Sequence, residues 1–251
     1  NVDRLFFAPG GIMRSEFDEL YNALFANADL YINVVKSMAG HHEGMSRDEI
    51  AKATGVSGGT LTRVLTNLER CDFIARSRNF GQKSKDTIYR LVDFYTLFYY
   101  KFIMQDTAGD EQWWSHNFES RAVSVWQGLT FETVCLMHTD CIKRALGISG
   151  MATEISAWRK TAGEGEKGGQ IDLIIKRADR IIHLCEMKFS KSEYRITDAY
   201  EQLLRERLEL FQSSTKTTFS LVITFVTTYG VADGLHHSLV HSEVTMEQLF
   251  N

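Results

Sequence analysis

The chain has 251 residues, of which 44% are hydrophobic and 24% charged, and it contains one proline, Pro9. This composition is typical of globular domains and excludes a disordered chain, a collagen-like chain and a proline-rich spacer. The formal net charge of −4 excludes a uniformly basic surface, so any contact with nucleic acid must come from a local basic patch.

Cysteine spacing and the lengths of the apolar runs indicate the compartment. The four cysteines form no CxxC pair, which is typical of a reducing environment. No segment approaches the roughly 18 uncharged apolar residues of a membrane helix, and the N-terminus lacks the order of a signal peptide. The sequence therefore predicts a soluble, cytoplasmic protein without a membrane partner.

Helical periodicity dominates the first part of the chain. Apolar residues recur at three-to-four spacing from Glu16 to Met38, which predicts one amphipathic helix. Ser46 followed by Glu49 matches a capping box and predicts the start of a short helix. Gly55 marks a tight turn, and a further helix is predicted from Gly59 to Cys71. Together these elements predict a helix-turn-helix.

Two short strands follow, from Phe73 to Arg76 and from Thr87 to Leu91, and they bracket a polar loop. This pattern predicts a β-hairpin wing, so that the region as a whole reads as a winged helix. Residues 57–90 contain seven Lys or Arg against three Asp or Glu, a local excess of four positive charges. Such an excess in a net-negative chain indicates DNA contact.

Arg63 lies one turn into the second helix of this motif, where a recognition helix presents side chains to base edges. Basic residues of the wing are expected to meet phosphates. The predicted nucleic-acid-binding residues are Thr60, Arg63, Arg76, Arg78, Lys83 and Lys85. The alternative left open is a purely structural or protein-binding winged helix whose charged loop is only solvated.

A densely aromatic segment, Asp93 to Phe102, follows the wing. Exposed aromatic side chains stack on bases in some proteins, but aromatic residues at nearly every position of a helix predict burial on several sides. We expect this segment to be core at the junction between two domains.

The second half of the chain predicts helices followed by strands interleaved with a helix. Strands are predicted near Glu154 to Trp158, Gln170 to Lys176, Arg180 to Lys188 and Phe219 to Val226, and a helix from Thr197 to Phe211. Interleaved helices and strands indicate an α/β layer fold, with the apolar last strand at its centre.

Two of these strands carry the residues that suggest chemistry. A short turn around Asp179 folds them into a hairpin, which brings Asp172 opposite Glu186 or within one position of it. Two neighbouring carboxylates favour a cation between them, and carboxylate oxygens are ligands that Mg²⁺ accepts. Lys188 projects to the same face as Glu186, where an ammonium can orient a water against a phosphodiester.

Asp172 followed by Glu186-Met187-Lys188 resembles the D…ExK core of the PD-(D/E)XK nuclease superfamily, with Ile171 in place of the usual proline. The resemblance implies a restriction-endonuclease-like fold in which Asp172 and Glu186 hold Mg²⁺ and Lys188 orients the attacking water. It also implies an assisting glutamate on the preceding helix, at the position of Glu132. The alternative is an exposed hairpin whose charges pair on the surface.

The whole chain, in order, also resembles the C-terminal region of prokaryotic DEXX-box, or archaeal-type, ATPases of the AAA+ class. The resemblance rests on Leu5 to Gly11, the winged helix, the aromatic segment, Gly128 to Glu132 and Gly169 to Asp172. It implies that an ATPase core, with its ATP site, precedes Asn1 in the parent chain, since no GxxxxGK[ST] sequence occurs in these residues. That core would be a partner of this region.

These inferences predict an α+β or α/β chain with four parts. They are an exit segment from the ATPase core at 1–15, a winged helix at 16–92, an aromatic helical connector at 93–127 and a mixed-sheet, restriction-endonuclease-like domain at 128–251. The expected function is DNA binding fused to a Mg²⁺-dependent nuclease. The alternatives are an inert nuclease-like fold that binds DNA or docks protein, and a module that only couples to the ATPase core.

Overall fold

The computed structural model describes residues 1–81, 87–105, 109–163 and 167–250. The chain forms two compact units. The first consists of the described residues within Asn1–Ser77 and Thr87–Trp126, and the second of those within Arg78–Asp86 and Gln127–Asn251. Each unit is considered by itself.

The first unit opens with a π-helical turn, Asp3–Phe7, and continues as helices with a small sheet. Its helices are α1 (Ile12–Leu24), α2 (Ala28–Met38), α3 (Arg47–Thr54), α4 (Gly58–Arg70), α5 (Phe94–Phe98), α6 (Trp113–Asn117) and the start of α7 (Arg121–Met137). Its strands are β1 (Met45–Ser46), β2 (Ile74–Arg78, whose last residue is counted with the second unit) and β3 (Thr87–Leu91), in the spatial order β1-β3-β2. The succession of α3, α4, β2 and β3 confirms the predicted winged helix.

Local interactions fix the helix-turn-helix. The Ser46 hydroxyl accepts a hydrogen bond from the Glu49 amide at 3.2 Å, and the Glu49 carboxylate accepts one from the Ser46 amide at 2.7 Å. This capping box satisfies two amides at the start of α3 that have no partner within the helix. Gly55 ends α3 with a φ of 72°, in the left-handed region that glycine adopts without a Cβ penalty.

The single helix predicted from Glu16 to Met38 is wrong, since the structure divides it into α1 and α2. Phe25 has an extended backbone, with φ −131° and ψ 126°, and its ring stacks on Tyr31 with a centroid separation of 3.9 Å. Phe25 is 6% exposed. Burial of this aromatic ring in the core therefore takes precedence over continuation of the helix.

The aromatic segment after the wing is core, as the sequence predicts. α5 continues into a second π-helical stretch, Tyr99–Ile103, and the ring of Phe98 lies 4.7 Å from that of Phe6 and 5.4 Å from that of Trp126. The N-terminal turn is held at the same place, because the Asp3 carboxylate accepts a hydrogen bond from the Trp114 amide at 2.8 Å. The first unit thus has a second, aromatic cluster beside its winged-helix core.

The second unit is built around a five-stranded mixed sheet. Its strands are β4 (Thr153–Lys160), β5 (Gly169–Arg177), β6 (Ile181–Lys188), β7 (Ser220–Thr227) and β8 (Val240–Thr245), in that spatial order. The pairs β4-β5 and β5-β6 are antiparallel, and β6-β7 and β7-β8 are parallel. The remainder of α7, together with α8 (Thr139–Ala145) and α9 (Asp198–Thr215), packs against this sheet. None of the helices in the described ranges has the length and apolar character that crossing a membrane requires.

The helices cover opposite faces of the sheet. On β6 and on β5 from Leu173 onward, residues at odd positions, such as Leu173 and Cys185, pack with Phe131 and Cys135 of α7. On the same strands, residues at even positions, such as Leu184, pack with α9, and so does Ile171 on the other side of an irregularity in β5. α9 connects the parallel strands β6 and β7, and its side chains Tyr200 and Arg207 reach Glu186 of β6.

One buried histidine lies inside the sheet. His183 of β6 is 2% exposed and is within hydrogen-bond distance of the Thr224 hydroxyl, at 2.8 Å, and of the Arg177 guanidinium, at 3.2 Å. Burial, with the positive charge of Arg177 and the neighbouring His241, lowers the pKa of His183 to about 4. The ring is therefore neutral in the folded protein at neutral pH.

Loss of the Ser46 hydroxyl should destabilise the winged-helix unit. Ser46→Ala removes the capping bond to Glu49, and we expect a loss of about 1 kcal/mol in the free energy of opening of α3, measured by native-state hydrogen exchange. Ser57→Ala is the matched control, because the Ser57 side chain at the start of α4 makes no capping bond. Equal losses in the two variants would contradict this account of the helix start.

Acid should weaken the sheet through His183. The unfolded chain, with a histidine pKa near 6.5, binds the proton more readily than the folded one, so stability rises with pH between the two values. Protonation of His183 does not reduce the free energy of unfolding above about pH 6.5. The free energy of unfolding falls by about 3 kcal/mol as the pH drops toward 4. Hydrogen exchange of β6 should show this loss in the wild type and a weaker pH dependence in His183→Gln; identical dependence in both would contradict it.

Candidate functional site

The second helix of the helix-turn-helix presents a polar surface. α4 buries Leu61, Val64, Leu65 and Leu68 on one side. Thr60 and Arg63 are exposed in its N-terminal half. The side chain of Arg63 is exposed, so a ligand can reach its guanidinium. The structure thus places the two predicted residues of α4 together on the surface of one helix.

Arg47, which the sequence analysis did not single out, connects the two helices of this motif. Its guanidinium donates to the Gly58 carbonyl at 2.7 Å and to the Thr62 hydroxyl at 3.1 Å. A residue of the first turn of α3 therefore fixes the first turn of α4. The basic residue next to the capping serine is a signal in the sequence, but nothing in the pattern indicates where its side chain reaches.

The predicted phosphate-binding residues of the wing differ in their surroundings. Arg76 of β2 is exposed and forms an ion pair with Glu69 of α4, so its charge is partly offset. Arg78, the last residue of β2, is exposed and belongs to the second unit. Lys83 and Lys85 lie outside the described residues.

Glu186 is the central residue of the second candidate site. It lies near the end of β6, is 6% exposed, and is a charged side chain among buried neighbours. The antiparallel register of β5 and β6 ends with Leu173 opposite Cys185, so Asp172 and Glu186 each lie one residue beyond the last registered pair. Asp172 is half-buried, and its carboxylate accepts a hydrogen bond from the side-chain amide of Gln170 at 2.8 Å.

Three side chains bind the Glu186 carboxylate. The Tyr200 hydroxyl donates to Oε2 at 2.7 Å, and the Lys188 ammonium lies 3.7 Å from the same oxygen. The guanidinium of Arg207 donates to the other oxygen, Oε1, in a close ion pair. Lys188 also lies 5.0 Å from the centre of the Tyr200 ring, within the range of a cation–π contact. Both carboxylate oxygens are therefore engaged.

The pKa values of the partners follow from this arrangement. Burial and the negative charge of Glu186 raise the pKa of Tyr200 above its ordinary value, so its hydroxyl remains a hydrogen-bond donor. Burial by itself would lower the pKa of Arg207, but the charge of Glu186, the hydrogen bond to it and the charge of Asp172 raise it. The negative charges of both hairpin carboxylates, Glu186 and Asp172, thus stabilise the charged guanidinium of Arg207.

The assisting residue suggested by the resemblance lies on another element. Glu132 is half-buried on α7, and its neighbours Phe131 and Cys135 pack against the odd-numbered face of β5 and β6. Glu186 points to the opposite face, toward α9. The structure therefore brings Glu186 and Lys188 together, and Asp172 is near enough for its charge to act on Arg207. Glu132 belongs to the helix on the other side of the sheet.

The arrangement can be tested for its fit to Mg²⁺. The ion needs near-octahedral oxygen coordination and usually keeps several waters. Both oxygens of Glu186 are already bound to protein donors, and across the described ranges no group of three or more His, Cys, Asp or Glu side chains is placed to hold a metal ion. As they are arranged here, the predicted ligands do not fit the ion.

Comparison with known proteins bears on the first unit. Residues 37–81, from the end of α2 to the segment after β2, match the model of the MarR family. This match supports a winged-helix, DNA-binding domain in the first unit. A comparison of the chain with curated protein sequences finds no match.

Glu186 and Arg207 should be energetically coupled. Because breaking a buried ion pair leaves one charge uncompensated, we expect Glu186→Leu and Arg207→Leu each to lower the free energy of opening of β6 by about 2–4 kcal/mol. The double variant should lose clearly less than the sum, as a double-mutant cycle by hydrogen exchange would measure.

Arg205→Leu is the matched control for this cycle. Arg205 lies on the same helix but is exposed and pairs with Glu201 one turn away, so its removal should cost at most about 0.5 kcal/mol. Additive losses for the Glu186 and Arg207 substitutions would contradict the coupling.

Proposed function

We propose that this chain binds duplex DNA through its winged-helix unit, with α4 as the recognition helix. The observation that carries the proposal is the exposed pair Thr60 and Arg63 on a helix whose opposite side is buried, in a region that matches the MarR family. A helix of this kind enters the major groove with its N-terminal residues toward the base edges. A guanidinium there is suited to guanine, which offers two acceptors in that groove.

Contacts to phosphates complete the proposed interface. Arg76 supplies one such contact when a DNA phosphate displaces Glu69 from its guanidinium. Because phosphate contacts release counterions, DNA binding is expected to weaken as the salt concentration rises. Arg78, Lys83 and Lys85 remain predicted phosphate contacts by their charge and position in the sequence. DNA binding by this unit is expected despite the net charge of −4, because the charges of residues 57–90 are predominantly positive.

Substitution of Arg63 should weaken DNA binding more than substitution of Arg70. Both arginines are exposed on α4 and, at seven residues' spacing, lie on nearly the same side of it, but Arg70 is about 10 Å farther from the N-terminus of the helix. We expect Arg63→Ala to raise the Kd for duplex DNA by about tenfold or more, and Arg70→Ala by less than about threefold. Fluorescence anisotropy at fixed salt measures both.

Equal effects of the two substitutions would contradict the assignment of α4 as the recognition helix, because non-specific attraction does not distinguish the positions. A Kd that is unchanged by a fourfold rise in salt would contradict DNA binding through the basic residues altogether.

The second unit leaves two candidate roles. The closeness of Glu186 and Lys188 and the helix–hairpin–helix–strand order favour the Mg²⁺-dependent phosphodiester hydrolysis that the sequence resemblance implies. The engagement of both Glu186 oxygens favours an inert, nuclease-like fold that serves as a DNA-binding or docking module. We propose the inert role, because Mg²⁺ would have to displace Arg207 and Tyr200 from a buried carboxylate.

A cleavage assay separates these two roles. Supercoiled and single-stranded DNA are incubated with the wild type, once with Mg²⁺ and once with an excess of chelator. In both cases the DNA should remain intact, to within the background of a Glu186→Gln preparation. Mg²⁺-dependent cleavage that disappears in both Lys188→Ala and Glu186→Gln would overturn the inert role and establish the nuclease.

We also propose that the chain is the C-terminal part of a DEXX-box, AAA+-type ATPase. This proposal rests on the order of sequence landmarks from Leu5 to Asp172 alone. The reading frame upstream of the Asn1 codon should then encode a GxxxxGK[ST] segment, the phosphate-binding loop of such an ATPase. A frame that starts within a few codons of Asn1 would contradict it.

A further inference from the structure

The position of Arg207 on α9 is unusual for a charged residue. Leu204, Leu208 and Phe211 of the same helix pack toward the sheet, and Leu204 and Phe211 are 2% and 0% exposed. Arg207 stands between them on that stripe, at helical spacing, where an apolar residue is the usual choice. A guanidinium is retained in such a place only when a partner compensates its burial. Glu186 is that partner.

The charges of the cluster balance without a metal ion. Glu186 and Asp172 carry two negative charges, and Arg207 and Lys188 carry two positive ones. Arg207 is in contact with Glu186 and its pKa is raised by the charges of both acids. A divalent cation added to this cluster would leave two positive charges in excess within a partly buried site. Such an excess is costly where the effective dielectric constant is low.

The enclosed space between Glu186 and Arg207 is also small. A cavity of about 10 Å³ lies between the sheet and α9, lined by apolar side chains with Glu186 and Arg207. That volume is about the minimum for a single water molecule. A magnesium ion with several of its own waters requires more, so the cavity that Glu186 and Arg207 share cannot take one while Arg207 stays in place.

We propose that Arg207 is the built-in counter-cation of the Glu186 and Asp172 carboxylates and occupies the place where a nuclease of this type would hold a divalent ion. Arg207 is a positioning residue that fixes Glu186 between β6 and α9. The sheet unit is therefore folded and electrostatically complete without metal. This inference deepens the inert role proposed for the second unit and is independent of DNA binding by the first.

Manganese binding tests the proposal without reference to activity, with Mn²⁺ as a spectroscopic substitute for Mg²⁺. Electron paramagnetic resonance of free Mn²⁺ measures how much ion the protein removes from solution. The wild type and Glu186→Gln should remove equally little. Arg207→Gln, which deletes the positive charge and keeps a hydrogen-bond donor, should bind one Mn²⁺ per chain at least about tenfold more tightly, since charge repulsion is relieved.

The control variants identify the site of any binding. The double variant Arg207→Gln with Glu186→Gln should lose the gained ion, and Arg205→Gln should behave as the wild type because Arg205 pairs with Glu201 instead. Hydrogen exchange of β6 establishes that Arg207→Gln is folded, and Arg207→Met serves in its place if it is not.

Two results would overturn the proposal. The first is binding of one Mn²⁺ per chain by the wild type that is lost in Glu186→Gln. This result can be obtained without a folded Arg207 variant. The second is a folded Arg207 variant that binds no more Mn²⁺ than the wild type. Failure of the Arg63 experiment on DNA would leave both of these outcomes unaffected, so the two proposals fail separately.

Discussion

Burial of the Glu186 carboxylate is the constraint on which the second unit depends. A carboxylate removed from water is stable only when donors and a counter-charge replace its hydration. Tyr200 and Arg207 provide these from α9, and Lys188 provides a second charge from the same strand. The helix is thereby fixed over β6 both by its apolar stripe and by a polar contact that has a single geometry. Apolar packing alone tolerates small shifts along a helix, whereas an ion pair in a buried site does not.

The same constraint shows that the spacing of a nuclease-like motif does not by itself fix the chemistry of its residues. Motif spacing determines which side chains meet at the end of a hairpin, and the register of Leu173 opposite Cys185 follows from the turn and from alternation. Motif spacing does not determine which side chains of the covering helix, here α9, face the hairpin. The chemistry of Glu186 and Lys188 is therefore decided by a helix that begins ten residues after the motif ends.

Much of the fold could be predicted from the sequence, because local signals and the final structure agree. The capping box at Ser46, the glycine turn at Gly55 and the two strands of the wing each have a local cause. The division of the first predicted helix at Phe25 could not be predicted, since the apolar spacing continues through the break and only core packing interrupts it. β8 was missed because its residues are mostly half-exposed, so it has no apolar run. At the candidate site, an arginine on the apolar stripe of α9 was the available signal for Arg207.

The contact of Arg47 with the first turn of α4 has a consequence for recognition. Because this side chain holds Gly58 and Thr62, the recognition helix has its orientation relative to α3 before any ligand arrives. A binding surface that is already ordered loses little conformational entropy on association. In the proposed DNA complex, discrimination between base sequences would then depend on the side chains of α4 and on the deformability of the duplex, since the protein would contribute a nearly rigid template.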